Sequence, residues 1–447
     1  MDETIFKSYD IRGIYPETIN EELSKKIGQA FVDHFKLKKV AVGRDGRLSS
    51  PQLEKAISSG IIAAGADVTH LGLVSTDMIY FAAGAYDYDG LLIVTASHNP
   101  KDNNGFKMVL KGAIAVSGEK GLTAMRDLIK EDKLEIASKP GKEDERNIYN
   151  DYVLKLHSLV DKSKLKSLKV VVDAGNGVGG YIFAMVAEGL PIEMIPLYCD
   201  VDGNFPNHQP SPIEDENLVD IKKKVIDEGA DLGLAFDGDG DRVYLIDEKG
   251  QAISASVMTA MIAKRMLDRQ PGARILYNVN VGWIVPETIK QNGGVPAITK
   301  VGHSLIKAQM REEDGLFAGE HSGHYYFKDL YYADSGMLAA LTIIELISEF
   351  DQPLSIIAKP YDKYFLSGEI NTDVADPIAK IAEIKEKYQT FQGGKILELD
   401  GLSVEYPDWR FVLRPSNTEP LLRLCVEAKT KEVMEEKRDE LLKLIRE

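Results

Sequence analysis

The sequence has few cysteines, with only Cys199 and Cys425 among 447 residues. Two cysteines provide neither a disulfide framework nor the spacing of a zinc site, which favours a reducing, cytoplasmic location. The opening residues, MDETIFKSYD, lack a basic segment followed by an apolar one, so no signal peptide is expected. No apolar run approaches the roughly 20 residues of a membrane-spanning helix, and no membrane partner is expected.

Positive charge is also in deficit, since 54 Lys and Arg stand against 70 Asp and Glu and give a formal net charge of −16. Binding to a long nucleic acid depends on clustered Lys and Arg, so this balance argues against a nucleic-acid partner. A small phosphorylated ligand needs only a few local cations and stays compatible with it. The sequence contains no fixed-period repeat and no low-complexity tract.

Strand-like and helix-like segments alternate through most of the chain. Apolar runs enter polar or glycine-containing loops in KKVAVGRDGR, LKVVVDAGNGVGG and ADLGLAFDGDGDRVYLID. Between such runs lie amphipathic patterns such as NEELSKKIGQAF, where Asn20 can cap a helix. This alternation predicts α/β domains, and the stretches 139–146 and 358–365 are candidate linkers.

The C-terminal residues have a different pattern. Asp376-Pro377 is a favourable start for a helix, and KILELDGLSVEY reads as a hairpin that turns at Asp400-Gly401. Two further strands, WRFVLR and LLRLCVEA, precede a closing helix. These elements predict a compact α+β unit.

The segment LLIVTASHNP (91–100) reads as a buried strand that breaks into a polar loop with Ser97 and His98. A plain polar turn would explain the pattern. A Ser–His hydrolase is the other interpretation, but adjacent residues rarely aim at each other and the GxSxG elbow is absent.

The loop DGDGDR places carboxylates at Asp237, Asp239 and Asp241, followed by Arg242. Like charges this close repel, so the cluster favours a neutralising cation, and hard oxygen ligands suit Mg²⁺ or Ca²⁺. An EF-hand is disfavoured because Arg242 stands where that loop needs glycine and because the flanks look like strands. A solvated acidic turn is the remaining alternative.

Two further loops concentrate hydrogen-bonding side chains. GEHSGHYYF (319–327) could present them to a hydroxylated ligand or simply form a turn, and its candidates are Glu320, Ser322 and His324. RPSNTEP (414–420) offers the planar guanidinium of Arg414 together with Ser416, Asn417 and Thr418. This composition suits a phosphate group, although a plain turn would have it too.

The loop GNGVGG (175–180) matches the dinucleotide fingerprint in outline, because it follows a strand and Asp200 ends the next strand-like segment. A Rossmann-type oxidoreductase is therefore one alternative, and a non-catalytic protein that binds sugar phosphates is another. The reductase leaves the acidic triplet and the SHNP and RPSNTEP loops unexplained.

Taken together and in this order, TASHNP, NNGFK, DGDGDR, GEHSGH and RPSNTEP resemble the α-D-phosphohexomutase family, and YDIRG and GRDGR extend the match over essentially the whole chain. The phosphomannomutase/phosphoglucomutase branch is the most similar. The resemblance implies three similar mixed α/β domains and a C-terminal α+β domain around a central cleft, with GNGVGG a structural part of the second. The expected domains and their loops are 1–146 (phosphoserine), 147–253 (metal), 254–360 (sugar) and 361–447 (phosphate).

The resemblance implies interconversion of hexose 1-phosphate and hexose 6-phosphate, with mannose or glucose as the hexose. A phosphoserine at Ser97 and a hexose 1,6-bisphosphate intermediate, which also acts as activator, carry the reaction. Asp237, Asp239, Asp241 and the phosphorylated Ser97 match the ligands of Mg²⁺. Arg12, Lys107 and Arg242 match positive groups around the phosphoryl group, and Lys107 and His324 are candidates for proton transfer.

The implied partner is a phosphosugar, bound by a chain that is a monomer or a weak dimer. Its contacts match Tyr9, His303, Glu320, Ser322, His324, Arg414, Ser416, Asn417 and Thr418. Two positions depart from relatives of this branch: His321 stands where many carry methionine, and Asn280 stands where some have a basic substrate contact. Phosphoglucosamine mutase is a less favoured alternative, because its pattern GEQSGH and a glycine at the position of Asn417 are absent.

Overall fold

The computed structural model of the chain describes residues 1–389, 393–416 and 421–447. Within these residues the strands form four sheets, and the unit around each sheet is numbered here as the first to the fourth domain. The first three sheets are mixed and the fourth is antiparallel. Among the described residues, none of the helices combines the length and the hydropathy that a membrane-spanning segment needs.

The first domain surrounds a mixed sheet. Its strands are β1 (Ile11–Ile14), β2 (Lys39–Arg44), β3 (Asp67–Leu73), β4 (Gly90–Val94), β5 (Asn103–Leu110), β6 (Ile114–Ala115) and β7 (Glu143–Glu145). Its helices are α1 (Glu21–Phe35), α2 (Ser50–Ala63), α3 (Thr76–Ala85) and α4 (Thr123–Lys130). The strand order is β1-β5-β4-β2-β3-β7, with β6 beside β5. Asn20 caps α1 by accepting a hydrogen bond from the Leu23 amide, as predicted.

The second and third domains are built in the same way. The second has α5 (Tyr149–Ser158), β8 (Leu168–Asp173), α6 (Gly179–Ala187), β9 (Ile192–Leu197), α7 (Val219–Glu228), β10 (Leu232–Phe236), β11 (Val243–Asp247) and β12 (Ala252–Ile253). The third has α8 (Ala255–Arg269), β13 (Arg274–Asn278), α9 (Ile284–Gln291), β14 (Val295–Thr299), α10 (His303–Glu312), β15 (Phe317–Gly319), β16 (Tyr325–Phe327), β17 (Ala333–Asp334), α11 (Gly336–Ser348) and α12 (Leu354–Ala358).

These three sheets share one strand order, namely β3-β2-β4-β5, β9-β8-β10-β11 and β14-β13-β15-β16. In each, the first three strands are parallel and the fourth is antiparallel to its neighbour. In each sheet, the connection that leads into the antiparallel strand therefore starts at the corresponding edge, namely the carboxyl end of the third strand. These connections are residues 95–102, 237–242 and 320–324, which carry three of the predicted site loops.

The fourth domain contains β18 (Phe365–Asp373), α13 (Pro377–Gln389), β19 (Lys395–Leu397), β20 (Leu402–Glu405), β21 (Trp409–Pro415), β22 (Leu421–Ala428) and α14 (Lys431–Arg446). Its antiparallel sheet has the order β18-β22-β21-β20-β19. Asp376 caps α13 through the amides of Ile378 and Ala379, and β19 and β20 form the predicted hairpin. The predicted α+β character is confirmed.

The apolar core joins the first three domains and leaves the fourth separate. One continuous cluster of buried side chains includes Ile93 of the first sheet, Leu234 of the second and Ile275 of the third. The fourth domain has its own cluster around Leu413 and Leu424. Burying each such side chain contributes about 1.5–3 kcal/mol, so the shared core fixes the first three domains relative to one another.

Candidate active site

Ser97 is held in a fixed position just after strand β4. Its side chain is buried, with the residue 1% exposed, and its backbone has a left-handed φ of 52°. The Ser97 amide donates to Thr95 Oγ1 at 2.9 Å, and Ser97 Oγ donates to Asp237 Oδ2 at 2.8 Å. A left-handed conformation is costly for a residue with a Cβ and persists only where its surroundings enforce it. The loop therefore directs the Ser97 hydroxyl at the acidic cluster of the second domain.

Arg47 holds the Ser97 loop from behind. Its guanidinium is fully buried and donates to four backbone carbonyls of this segment, at distances of 2.7–3.0 Å. The four acceptors are those of Ser97, Asn99, Pro100 and Asn103. Asp45 pairs with Arg47 Nε at 3.2 Å and compensates its charge. Sequence reasoning did not assign Arg47, although it ends the GRDGR motif.

The second domain covers the same loop from the other side. The ring of Phe205 lies 5.1 Å from the Arg47 guanidinium, and Gln209 Nε2 donates to the carbonyl of His98 at 2.8 Å. Gly238 approaches so closely that a Cβ there would lie 2.4 Å from the Ser97 carbonyl oxygen. The glycine between the first two carboxylates is therefore required for the two loops to meet.

Asp237, Asp239 and Asp241 form one buried cluster whose ligand oxygens lie within 4.8 Å of one another. Lys107 Nζ, from β5 of the first domain, contacts Asp239 Oδ2 at 2.8 Å and Asp241 Oδ2 at 2.6 Å. Thr76 Oγ1 donates to Asp239 Oδ2 at 2.7 Å, a contact that no sequence pattern indicated. The three carboxylates of the DGDGDR loop thus face the first domain together.

The donor set fits a divalent cation. Asp239 Oδ1 and Asp241 Oδ1 are buried and have no hydrogen-bond partner in the described part of the chain. Burial and the two neighbouring carboxylates raise the pKa of Asp237 well above its ordinary value. Buried carboxylate oxygens without donors favour a hard cation such as Mg²⁺. The strands β10 and β11 flank this loop, so the EF-hand alternative is wrong.

Lys107 remains an ammonium in this arrangement. Burial alone would lower its pKa, but the charges of Asp239 and Asp241 outweigh burial and raise the pKa of Lys107 above its ordinary value. The ammonium group of Lys107 lies at the boundary between the Ser97 loop and the acidic cluster.

A chain of hydrogen bonds links the acidic loop to the loop 320–324. Arg242 Nε donates to His324 Nε2 at 3.1 Å, so this ring nitrogen accepts and Nδ1 is the nitrogen left to donate. His324 Nδ1 lies 2.8 Å from Ser322 Oγ, which donates to Glu320 Oε2 at 3.0 Å. Tyr326 OH donates to Glu320 Oε1 at 2.7 Å. The structure thus brings the predicted residues of both loops together, and the third domain orients the imidazole.

A buried carboxylate behind the site joins three domains. Asp77 of α3 accepts hydrogen bonds from the hydroxyls of Ser75, Tyr152 and Ser335, and the Tyr152 contact measures 2.5 Å. Burial raises the pKa of Asp77 to about 6, although the three hydroxyls oppose this shift. The adjacent residue, Thr76, contacts Asp239, so this junction supports the acidic cluster.

Tyr9, Arg12 and His303 contribute further side chains near the Ser97 loop and the third domain. Arg12 donates to Asn99 Oδ1 at 2.7 Å, beside the Ser97 loop. Tyr9 packs edge-on against His303 of α10, with ring centroids 5.8 Å apart. Burial and the nearby ammonium of Lys307 hold the pKa of His303 well below its ordinary value, so its ring is neutral.

Arg414 lies in β21 of the fourth domain. It is 4% exposed, and its Nε donates to Asp400 Oδ2 at 3.0 Å. Arg414 Nη1 is buried and has no hydrogen-bond partner among the described residues. Ser416 follows β21, whereas the predicted contacts Asn417 and Thr418 lie outside the described residues.

The carboxylate of Glu369 interacts with both positions that are expected to depart from relatives, Asn280 and His321. Asn280 Nδ2 donates to Glu369 Oε2 at 3.1 Å. Burial lowers the pKa of His321, while the negative charges of Glu369 and Glu320 oppose the shift. Glu369 also pairs with Arg423 at 3.1 Å. These contacts place both residues at the boundary between the third and fourth domains.

The glycine-rich loop 175–180 packs against the protein itself. A Cβ on Gly177 would lie 2.7 Å from Gly238 Cα, and the Val178 amide donates to the Gly238 carbonyl at 3.1 Å. The space that a dinucleotide pyrophosphate would need is filled by the acidic loop. The glycines of GNGVGG allow this close packing of two loops, because a side chain at Gly177 would not fit. The glycine pattern therefore no longer supports the oxidoreductase alternative.

Comparison with known families accounts for nearly the whole chain. Residues 3–135, 147–250 and 255–364 match the phosphoglucomutase/phosphomannomutase alpha/beta/alpha domains I, II and III. Residues 369–444 match the C-terminal domain of the same family.

Relatives and a solved structure match over nearly the whole chain. The chain is 40% identical over 425 residues to the phosphohexose mutases of Xanthomonas campestris pv. campestris (strain B100), covering 95% of both chains. It is 39% identical over 437 residues to a phosphomannomutase/phosphoglucomutase of Pseudomonas aeruginosa, covering 97% of this chain and 93% of that one. A phosphoglucomutase/phosphomannomutase family protein from Burkholderia thailandensis superposes with a TM-score of 0.91 at 35% identity, covering 99% and 97% of the two chains. This chain therefore belongs to the phosphoglucomutase/phosphomannomutase family of mutase isomerases.

Proposed function

We propose that this enzyme interconverts hexose 1-phosphates and hexose 6-phosphates by way of a phosphorylated Ser97 and a hexose 1,6-bisphosphate intermediate. One observation carries the proposal: Ser97 Oγ lies 2.8 Å from Asp237 Oδ2, inside a buried carboxylate cluster from another domain. A buried serine with this partner is suited to accept and release a phosphoryl group. Added hexose 1,6-bisphosphate would act as the activator, because it phosphorylates Ser97.

Asp237, Asp239 and Asp241 are proposed to hold Mg²⁺ together with an oxygen of the phosphorylated Ser97. The buried, unpartnered oxygens of Asp239 and Asp241 support this assignment. Bound there, Mg²⁺ would neutralise negative charge on the transferring phosphoryl group.

In the proposed transfer, a sugar hydroxyl oxygen forms a new bond to phosphorus as the bond to Ser97 Oγ breaks. Proton transfer with this hydroxyl is proposed for His324 and Lys107. His324 Nε2 must first release Arg242 Nε before it can accept the proton, and the departing Ser97 Oγ takes up a proton as its bond to phosphorus breaks. Lys107, Arg12 and Arg242 supply positive charge around the phosphoryl group. The intermediate then turns around and returns its other phosphoryl group to Ser97.

The rest of the cleft is proposed to hold the sugar and its second phosphate. Glu320 and Ser322 would bind hydroxyls, with Tyr9, His303 and His324 as further contacts. Arg414, Ser416, Asn417 and Thr418 would bind the phosphate that does not react. We also propose that the four domains have the limits 1–146, 147–253, 254–360 and 361–447.

We further propose that mannose and glucose phosphates are used with comparable efficiency. The bisphosphate must present carbon 1 and carbon 6 in turn, so hydroxyls 3 and 4 roughly exchange places between the two orientations. Few protein groups then remain to distinguish the configuration at carbon 2, where mannose and glucose differ. Losing one hydroxyl hydrogen bond is worth roughly 0.5–1.5 kcal/mol, or up to about tenfold.

A coupled assay tests the proposal by comparing mannose 1-phosphate with glucose 1-phosphate, with a trace of the matching 1,6-bisphosphate. We expect turnover of both sugars and a phosphorylated population in the intact mass of the purified enzyme. No turnover of either hexose phosphate would reject the activity. A preference above roughly a thousandfold, about 4 kcal/mol, would show that carbon 2 is read directly.

A further inference from the structure

Asp400 lies at the turn between β19 and β20, where one of its oxygens is shared by two domains. Asp400 Oδ2 accepts a hydrogen bond from Arg414 Nε at 3.0 Å, within the fourth domain. The same oxygen accepts from the backbone N–H of Val301 at 2.9 Å, in the third domain. One carboxylate oxygen therefore fixes the guanidinium of Arg414 and also joins the fourth domain to the third.

Val301 continues this connection into the first domain. Its carbonyl oxygen accepts a hydrogen bond from Tyr9 OH at 3.1 Å. The next residue, Gly302, has a φ of 131°, and a Cβ there would lie 2.6 Å from the Tyr9 ring. His303 follows at the start of α10 and packs against Tyr9. Both backbone polar groups of Val301 thus contact other domains, beside two proposed substrate contacts.

The turn itself presses Asp400 against Arg414. Gly401 has a left-handed φ of 81°, and a Cβ at this position would lie 2.4 Å from the Leu413 carbonyl oxygen and 3.0 Å from Arg414 Cα. With Nε bonded to Asp400, Nη1 is the guanidinium nitrogen that could bind a ligand. Arg414 Nη1 is buried without a hydrogen-bond partner in the described residues, and Glu369 Oε2 lies 3.9 Å from it. A buried donor of this kind favours an anionic oxygen.

We infer that Asp400 is a positioning residue that couples phosphate binding at Arg414 to the docking of the fourth domain on residues 300–303. The inference rests on the proposed function, because it takes Arg414 as a contact of the phosphate that does not react. The contact with Asp400 presents Arg414 Nη1 to that phosphate. The same carboxylate holds the Tyr9–His303 side of the cleft against the fourth domain. A bisphosphate that turns around inside the cleft is retained only while this contact keeps the cleft closed.

The test compares Asp400→Ala and Asp400→Asn with the unmodified full-length enzyme, in the hexose 1-phosphate assay with and without added hexose 1,6-bisphosphate. For Asp400→Ala we expect KM to rise about tenfold, as for loss of a hydrogen bond to a charged group. At saturating bisphosphate kcat should stay within about threefold of the unmodified enzyme, because the Ser97 end is intact. Stimulation by added bisphosphate should increase several-fold, because the intermediate escapes more often.

Asp400→Asn keeps one acceptor oxygen and nearly the same shape, so the variant should fold even if Asp400→Ala does not. We expect its KM to lie between those of the unmodified enzyme and Asp400→Ala. Glu398→Gln is the matched control, since Glu398 lies in the same hairpin and pairs with Lys385 of α13 at 2.7 Å. It removes the same charge and should leave KM and bisphosphate stimulation unchanged.

A double-mutant cycle with Tyr9→Phe tests the connection through Val301. We expect the KM increase of the double variant to be smaller than the product of the increases in Tyr9→Phe and Asp400→Ala. Both substitutions disrupt the same docking of the fourth domain on residues 300–303. Multiplicative effects would overturn the coupling. Unchanged KM and stimulation in both Asp400 variants would overturn the positioning role. If the unmodified enzyme converts no hexose phosphate, the proposed function fails instead, so the two failures are distinguishable.

Discussion

At the Ser97 end of the site, side chains from three domains pack around buried carboxylates, whereas at the Arg414 end the fourth domain meets the third through polar contacts. The first three domains share one apolar core, and the fourth has its own. The boundary of the fourth domain includes hydrogen bonds from the Trp283 amide to Glu427 and from the Val301 amide to Asp400.

This difference separates two physical tasks. Phosphoryl transfer depends on groups that are already in place, and a shared core provides that rigidity. Substrate entry and release depend on an interface that can open, and polar interfaces between domains favour relative motion. We therefore expect substitutions at the Ser97 end to lower kcat and substitutions at the Arg414 end to raise KM.

The largest effect is expected for Ser97→Ala. Without the hydroxyl there is no phosphorylated enzyme, so kcat should fall by roughly 10⁴-fold or more, as when other covalent nucleophiles are removed. Intact mass should show loss of the phosphorylated population. Ser59→Ala, an exposed serine of the same domain, is the control and should behave as the unmodified enzyme. Full activity in Ser97→Ala would disprove the mechanism.

Asp239→Asn should have the next largest effect, a fall in kcat of at least about 100-fold, beyond what outer-sphere changes at metal sites cause. The variant removes one charge from the proposed ligand set. Excess chelator should abolish activity of the unmodified enzyme, and Mg²⁺ should restore it. Asp227→Asn, an exposed carboxylate of α7 paired with Lys223, controls for loss of charge in the same domain. Undiminished activity in chelator would exclude the metal.

Arg47→Met should lower kcat by roughly 100-fold with little change in KM, because the Ser97 loop loses its four carbonyl contacts and small displacements are costly in transfer reactions. Arg47→Lys keeps the charge but not the planar fork, so it should restore only part of the rate. Arg126→Met changes a partly exposed arginine of the same domain and serves as the control. An Arg47→Met enzyme altered only in KM would contradict the division between the two ends.

Arg414→Ala should raise KM for both hexose 1-phosphates about tenfold, the lower range for a lost hydrogen bond to a charged group, because other donors of the loop remain. Its kcat should change less than that of Arg47→Met. The control is Arg438→Ala, which removes an arginine of α14 paired with Asp439. A fall in kcat with unchanged KM would assign Arg414 to the chemical step instead.

The smallest effect concerns stability and involves neither end. His70 lies between Glu54 of α2, at 3.1 Å, and Glu143 of β7, at 3.5 Å, while Arg44 also pairs with Glu54. The hydrogen bond to Glu54 raises the pKa of His70, although burial opposes the shift. The folded protein thus binds the proton more tightly than the unfolded chain. This stabilisation is fully present below the unfolded pKa of about 6.5 and is lost as pH rises through the higher folded value.

Unfolding temperatures of the unmodified protein and of His70→Gln check this expectation. The difference should be roughly 1 kcal/mol, or about 1 °C for a chain of this length, at pH 5.5, and it should vanish near pH 8.5. The rates of both proteins should agree, because His70 lies away from the cleft. A difference in unfolding temperature that grows with pH would reverse the sign and reject the assignment.

Much of the fold and the acidic site could be predicted from the sequence because local patterns encode them. Apolar runs that end in polar loops predicted β4 and β10, and the loops after them carry Ser97 and the carboxylates. The family resemblance is confirmed, while the individual roles of the site residues stay predictions.

The remaining features depend on contacts that leave no local pattern. Arg47 and Asp400 act on backbone groups far away in sequence, and any residue type can provide a carbonyl or an amide. The strand β7 has the sequence EDE within a predicted linker and pairs with β3 through its backbone, so no alternation marked it. The contact of Thr76 could not be predicted for the same reason, because its partner Asp239 belongs to another domain.

The shared strand order of the first three sheets has a consequence for how new specificities could be built on this scaffold. The site segments 95–102, 237–242 and 320–324 are short reversals between neighbouring hydrogen-bonded strands, and no helix intervenes. Each is anchored at both ends, so its backbone geometry tolerates exchange of side chains far better than insertion of residues. Side chains of the proposed sugar loop, 320–324, could therefore be exchanged at constant length to change the sugar preference. The backbone around Ser97 and the three carboxylates would keep its position, because these reversals are anchored on separate sheets.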